Sequence, residues 1–173
     1  MSIRDQIRTL LGSKIFYLPS RFQNGESTRE IVVSREIFEI VTPPFGDYWE
    51  GKRHAQCRAY LDAFVDGEEI GVSEKPFSKA FDTYLARVHP IALDVWDIRV
   101  IEPTPGIRCF GCFGDLDLFV ALTWEYRENI QATSDGFSIL ARECRSVWSS
   151  LFTLPPRTGS IHAHLSGNYY LAS

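Results

Sequence analysis

The chain has 173 residues, a net charge of −4, 45% hydrophobic residues and 23% charged residues. That length fits one domain able to bury a core without disulfides, and the acidic balance argues against a protein that coats nucleic acid over its whole surface. The longest apolar runs fall far short of the ~20 residues a membrane helix requires, the N-terminus carries no convincing signal peptide, and four cysteines without an export signal point to a reducing compartment, by default the cytoplasm.

Ile3, Ile7, Leu10 and Leu11 have helical spacing, with Gly12 as a stop. Phe22 to Thr28 reads as a polar loop around Asn24-Gly25. Glu30 to Val41 is rich in Ile and Val and predicts a straight or bent strand, ended by Thr42 to Gly46. Gly51 to Phe64 predicts a helix with Cys57, Tyr60, Leu61 and Phe64 inward, and with Lys52, Arg53, His54 and Arg58 facing water. Pro76 to Val88 predicts a second helix, with Phe77, Phe81, Tyr84, Leu85 and Val88 inward, ended by His89-Pro90. Three antiparallel strands follow near Asp94–Ile101, Ile107–Phe113 and Leu118–Trp124, joined by turns at Glu102 to Gly106 and Gly114 to Asp117. A last helix starts near Ser134 or Asp135, either of which can cap it, and buries the stripe Phe137, Leu140, Ala141, Cys144, Val147, Trp148 and Leu151. Pro155-Pro156 forbids its extension, and Arg157 to Ser173 reads as a polar tail. No repeat, low-complexity segment or domain linker is evident.

No nucleophile elbow, zinc-protease helix or P-loop occurs. Cys109 and Cys112 form a C-x-x-C inside a predicted strand, where positions three apart point to opposite faces. They read as two packed, reduced thiols; a zinc site recruiting His162 and His164 is the alternative. Asp115 and Asp117 flank a turn and read as solvated. No cofactor or metal is expected.

Three arginines carry the sharper hypothesis. Arg99 lies in the first of the three strands, Arg108 opens the second and Arg127 follows the third. Gathered on one sheet face, with Tyr126 at its margin, they suit a polyanion such as RNA or an acidic protein segment. In metal-free RNA cleavage arginines neutralise the phosphoryl charge of the transition state, and Tyr126 is the nearby acid–base group. The plainer alternative makes them surface residues paired with Asp97, Glu125 or Glu128. A one-residue slip in the 99/108 hairpin sends Arg99 and Arg108 to opposite faces.

The order strand, two helices, three antiparallel strands and helix, with Trp96-Asp97-Ile98-Arg99, then Pro105-Gly106-Ile107-Arg108, then Trp124-Glu125-Tyr126-Arg127, resembles the RelE/ParE-type toxins of bacterial toxin–antitoxin modules. The resemblance covers about residues 30–151, leaving 1–29 as an N-terminal extension and 152–173 as the tail. It implies an α+β domain with a small, mainly antiparallel sheet. It also implies a toxin, possible endoribonuclease activity toward RNA on the ribosome through Arg99, Arg108, Arg127 and Tyr126, and an antitoxin partner covering the arginine face. The chain departs from the family in its length, its acidity, Asp97 where lysines are common, and the lack of a Lys-Lys-Thr-like run after the third strand. The other reading is a non-enzymatic binding protein of phage or plasmid origin that inhibits a host protein.

Overall fold

A computed structural model describes residues 1–21, 29–132 and 134–172, so the loop read at Phe22 to Thr28 lies outside the described residues. At the centre of the fold, the three expected strands form β5 (Trp96–Val100), β6 (Ile107–Asp115) and β7 (Leu118–Tyr126), paired antiparallel. Around them stand β1 (Ile15–Leu18), β2 (Glu30–Ser34), β3 (Ile70–Ser73), β4 (Thr83–Arg87) and β8 (Tyr169–Leu171). Together they make one eight-stranded sheet in the order β1-β2-β7-β6-β5-β4-β3-β8.

The expectation of a small, mainly antiparallel sheet is thus corrected to a larger, mixed one. β2 runs parallel to β7, and β3 runs parallel to both β4 and β8. Helices cover both faces, so the central strands are buried on both sides and lose simple alternation. α2 (Arg35–Val41) and α3 (Trp49–Val65) pack on one face over Ile31, Val33, Trp96, Ile98, Cys109 and Phe119. α1 (Ile3–Leu10) and α4 (Ser134–Leu151) pack on the other over Val32, Phe110, Cys112, Val120 and Leu122. The fold is α+β.

Two segments differ from their expected structure. The Ile/Val run from Glu30 bends at Ser34, whose hydroxyl accepts the Ile37 amide at 3.3 Å, and continues as the helix α2. This N-cap satisfies an amide that a straight strand would have paired in the sheet. The second helix expected from Pro76 to Val88 does not form. Phe77 and Phe81 are 69% and 86% exposed, and Thr83–Arg87 is a strand between β3 and β5. Helical spacing there was coincidental; the sheet supplies pairing on both sides for a Thr-Tyr-Leu run that favours extended backbone.

The ends of the chain belong to the sheet. α1 carries a capping box, in which Ser2 accepts the Asp5 amide and Asp5 accepts the Ser2 amide. Its Ile3 and Ile7 are buried beneath the sheet, while β1 forms one edge. The tail adds β8 at the other edge and sends His164 into the interior. α4 begins at Ser134, and its capping position lies outside the described residues. In its stripe Ala141, Cys144 and Trp148 are fully enclosed, with Phe137, Leu140, Val147 and Leu151 packed around them.

Cys109 and Cys112 point to opposite faces, as strand geometry requires: Cys109 meets Cys57 at 3.5 Å beneath α3, and Cys112 packs with Cys144 of α4. All four cysteines are buried free thiols. The hydrogen bond with Cys57 and then burial raise the Cys109 pKa; burial and then Cys144 raise that of Cys112. Neither is a reactive thiolate. Gly111 lies where the β6–β7 register slips; a Cβ there would sit 2.2 Å from the Val120 carbonyl oxygen. That glycine permits close strand approach and not the sharp turn of a zinc knuckle.

The two histidines of the tail, His162 and His164, do not come to Cys109 and Cys112 and differ in their surroundings. His162 Nδ1 contacts the Tyr169 hydroxyl at the surface. His164 is fully buried, stacked on Phe113 at 4.5 Å between ring centroids and edge-on to Trp96 at 5.8 Å. Neither ring nitrogen of His164 has a hydrogen-bond partner among the described residues. Burial, followed by the charges of Arg157 and Arg87, lowers its pKa from 6.5 to about 4. The unfolded chain therefore binds a proton that the folded chain refuses between those values, so stability falls as pH drops through that window and is untouched by His164 above it. The shift corresponds to about 3 kcal/mol at full development. We expect His164→Phe, which keeps an aromatic ring against Phe113, to flatten urea-derived stability between pH 6.5 and 4 relative to the parent. Parallel pH profiles for the two chains would remove His164 as the cause.

Candidate functional site

The β5–β6 register decides the geometry of the arginines. Arg99 pairs directly with Arg108, and Arg108 pairs with Glu125 across β7. Directly paired residues share a face, so Arg99 and Arg108 do stand together, on the α4 side of the sheet. Like charges opposite one another repel, and Asp97, two residues before Arg99 on the same face, offsets them. Its carboxylate is fully buried, 3.5 Å from Arg108 Nε and 3.9 Å from Lys79 Nζ. Lys79 arrives from the irregular segment before β4 and was not foreseen. Arg127 follows β7 and hangs over the Phe137 ring of α4 at 5.5 Å, with Lys79 over the same ring at 4.8 Å.

Two of these cations are largely inside the fold, and Arg99 and Arg127 are half-buried. Arg108 and Lys79 side chains are 9% and 18% exposed. Arg108 Nη1 donates to the carbonyls of Val100 and Ile107, Arg99 Nη1 to those of Ala80 and Thr83, and Arg127 Nη1 to that of Ile130. For both Arg108 and Lys79, burial is the main cause of a lowered pKa; Asp97 opposes it, and Arg99 and Arg127 reinforce it.

Tyr126 does not stand at the margin of this cluster. It pairs with Ile107 and so points to the opposite, α3-side face. There its hydroxyl lies 2.8 Å from His54 Nε2. Arg53 covers its ring at 3.9 Å from the centroid and reaches both oxygens of Glu128 at 2.7 Å, donating also to the Gly106 carbonyl at 3.0 Å. Arg53 and His54, expected to face water, are buried and half-buried. The reason is that the end of β7 extends past β2, leaving room for the first turns of α3 to settle on Trp124 and Tyr126. Burial lowers the His54 pKa, with Glu50 opposing, and burial followed by Glu50 raises that of Tyr126. The two groups form a neutral hydrogen bond at pH 7, which orients aromatic rings but supplies no strong base.

Around this second constellation the surface is acidic and aromatic. Tyr48 and Trp49, at the start of α3, are 86% and 49% exposed. Glu50, Glu125 and Glu128 all act on Tyr126. Desolvation and then the charges of Glu143, Glu125 and Glu39 raise the Glu36 carboxyl, which places those four acids at the same end of the sheet. The paired carboxylates at the opposite end are structural: Asp115 holds Arg4 at 2.7 Å, and Asp117 accepts the Ser166 amide at 2.9 Å. Among the described residues, no group of three or more histidine, cysteine or acidic side chains could hold a metal ion, and no helix is long and apolar enough to cross a membrane.

Comparison with family models, with curated proteins and with solved structures finds no match.

Proposed function

We propose that this chain is a non-enzymatic binding protein that inhibits a partner protein by covering a basic surface. The observation that carries this reading is the acidic, aromatic end of the sheet. Tyr48 and Trp49 project from the start of α3, Glu50, Glu125 and Glu128 act on Tyr126 beneath it, and Glu125 also belongs to an acidic group with Glu36, Glu39 and Glu143. Exposed tryptophan and tyrosine are the side chains most often found as binding anchors, and a rim of one sign steers a partner of the other and suppresses wrong ones. The ion pair between buried Arg53 and exposed Glu128 and the His54–Tyr126 hydrogen bond fix the platform from which they project. A protein of phage or plasmid origin acting on a host protein fits this description.

A second reading, an endoribonuclease-type toxin kept inactive by an antitoxin, draws on the shared face of Arg99 and Arg108 with Arg127 nearby. In it Tyr126, the expected acid–base group, stands on the other face from those arginines.

The test uses the full chain as bait in host extract, followed by reconstitution with the purified partner. A basic protein should be retained in a stable stoichiometric complex that weakens as salt is raised. Trp49→Ala and Glu125→Lys should each weaken it at least tenfold without altering the circular dichroism spectrum. Arg127→Ala should leave it unchanged. Arginine-dependent cleavage of RNA by the purified chain, with no effect of the Trp49 variant, would reverse the order of the two readings.

A further inference from the structure

The α4-side cavity has a different character from the acidic end and is independent of the binding reading. It measures about 340 Å³ and is lined by Pro76, Phe77, Lys79, Val88, His89, Arg127, Ala132 and Phe137. Its volume is at the lower end of the range for small-ligand sites. Two cations, Lys79 and Arg127, line it and converge over the same Phe137 ring. Behind them are Arg108 and Arg99; Asp97 is the carboxylate that acts on both Lys79 and Arg108, and Glu125 stands opposite Arg108 on the same face. Four cations, Lys79, Arg99, Arg108 and Arg127, against the carboxylates of Asp97 and Glu125 still leave positive charge in surplus, with Lys79 and Arg108 largely withdrawn from water.

Such an excess is costly to bury unless something offsets it. The groups present do so incompletely. Lys79 makes no hydrogen bond among the described residues, its nearest carboxylate oxygen being 3.9 Å away. Among the described residues neither oxygen of Asp97 has a hydrogen-bond partner. Arg127 uses one terminal nitrogen on the Ile130 carbonyl, and among the described residues the rest of its fork has no hydrogen-bond partner. The walls, in contrast, are flat and apolar: Phe137 on one side, and Phe77 against His89 at 5.1 Å between ring centroids on the other.

We propose that this cavity binds a small phosphate monoester carrying a flat apolar group, with the phosphate held by Lys79 and Arg127 and the apolar group against Phe137 and Phe77. A doubly charged head matches the surplus of cations better than a single carboxylate does, and arginine forks suit its oxygens. The recessed position favours a small molecule over a polyanion. The phosphates of RNA run along a surface and cannot follow Lys79 inward, whereas a terminal monoester can enter head first.

Phenyl phosphate serves as the probe, titrated calorimetrically into the full chain at fixed ionic strength, beside inorganic phosphate, benzoate and a single-stranded oligonucleotide. One equivalent of phenyl phosphate should bind saturably, about tenfold or more tighter than inorganic phosphate or benzoate. Lys79→Met and Arg127→Met should each weaken it by about tenfold, the usual scale of one charge-assisted contact, and Lys79→Arg should largely retain it. Arg108→Met adds a deeper probe, but Lys79 and Arg127 decide the matter because both can be changed at the cavity wall. Absence of saturable binding at millimolar phenyl phosphate overturns the proposal. So does binding that survives both methionine variants, tighter binding of benzoate, or an oligonucleotide that displaces phenyl phosphate from the same site.

Discussion

Trp148→Ala is expected to destabilise the fold by about 3–5 kcal/mol, the range for emptying an aromatic core site. Trp148 is 1% exposed and lies on α4 between the sheet and the segment that follows the helix. Three things are lost together. The indole fills the space beside Ala141 and Cys144, it packs tilted against Phe152 at 4.6 Å between ring centroids, and its Nε1 donates to the Leu154 carbonyl at 2.8 Å. That last bond ties down the chain just before Pro155-Pro156, where the backbone leaves the helix for good. Trp148→Phe separates the contributions: it keeps most of the packing and loses the bond, and should cost about 1–2 kcal/mol. Urea denaturation of both variants measures the difference, and for a chain of this size the alanine variant should melt roughly 10–15 °C lower. A cost under about 1.5 kcal/mol would mean that α4 is not part of the cooperative core.

The same stripe explains why α4 was readable in advance. Its apolar residues recur every three or four positions for about four turns, and only one face of one element satisfies that pattern. β5, β6 and β7 were readable because short turns join them and their pairing is local. What escaped was governed by distant partners. Ile31–Val33 is a strand because β7, far along the chain, runs parallel beside it; the next turn is helical because Ser34 caps it. Thr83–Arg87 is a strand because β3 and β5 flank it, although Phe77, Phe81, Leu85 and Val88 mimic a helix. The burial of His164 escaped because nothing local shows that Phe113 and Trp96 enclose it.

The candidate sites were legible to a similar depth. The pairing of Arg99 with Arg108 depended on one residue of register, and the hairpin takes the register that unites them. The same register fixes the error over Tyr126: if Arg108 opposes Glu125, then Tyr126 must face the other way. Lys79 had no local signal at all, since it reaches Asp97 from a segment without regular structure. The aromatic end needed the packing of α3 on β7, which turns Arg53 and His54 inward and leaves Trp49 outside.

Asp97 is where the two halves of the cationic cluster meet, and its replacement should have a large and interpretable effect. The carboxylate is fully buried and is the nearest negative charge to both Arg108 and Lys79. Asp97→Asn preserves shape and removes only charge. It leaves Arg99 directly opposite Arg108 with nothing between them and Lys79 close behind. Removing one member of a buried ion pair typically costs about 3–5 kcal/mol, because the charge left behind is uncompensated. The loss should not be additive with removal of a cation: Asp97→Asn combined with Arg108→Met should be more stable than the sum of the two single changes, since the second relieves the repulsion created by the first. Urea unfolding of the single and double variants completes the cycle. If the asparagine variant loses less than about 1 kcal/mol, or the double variant is simply additive, then Asp97 is not what holds four cations in one small volume, and the electrostatic account of this face fails with it.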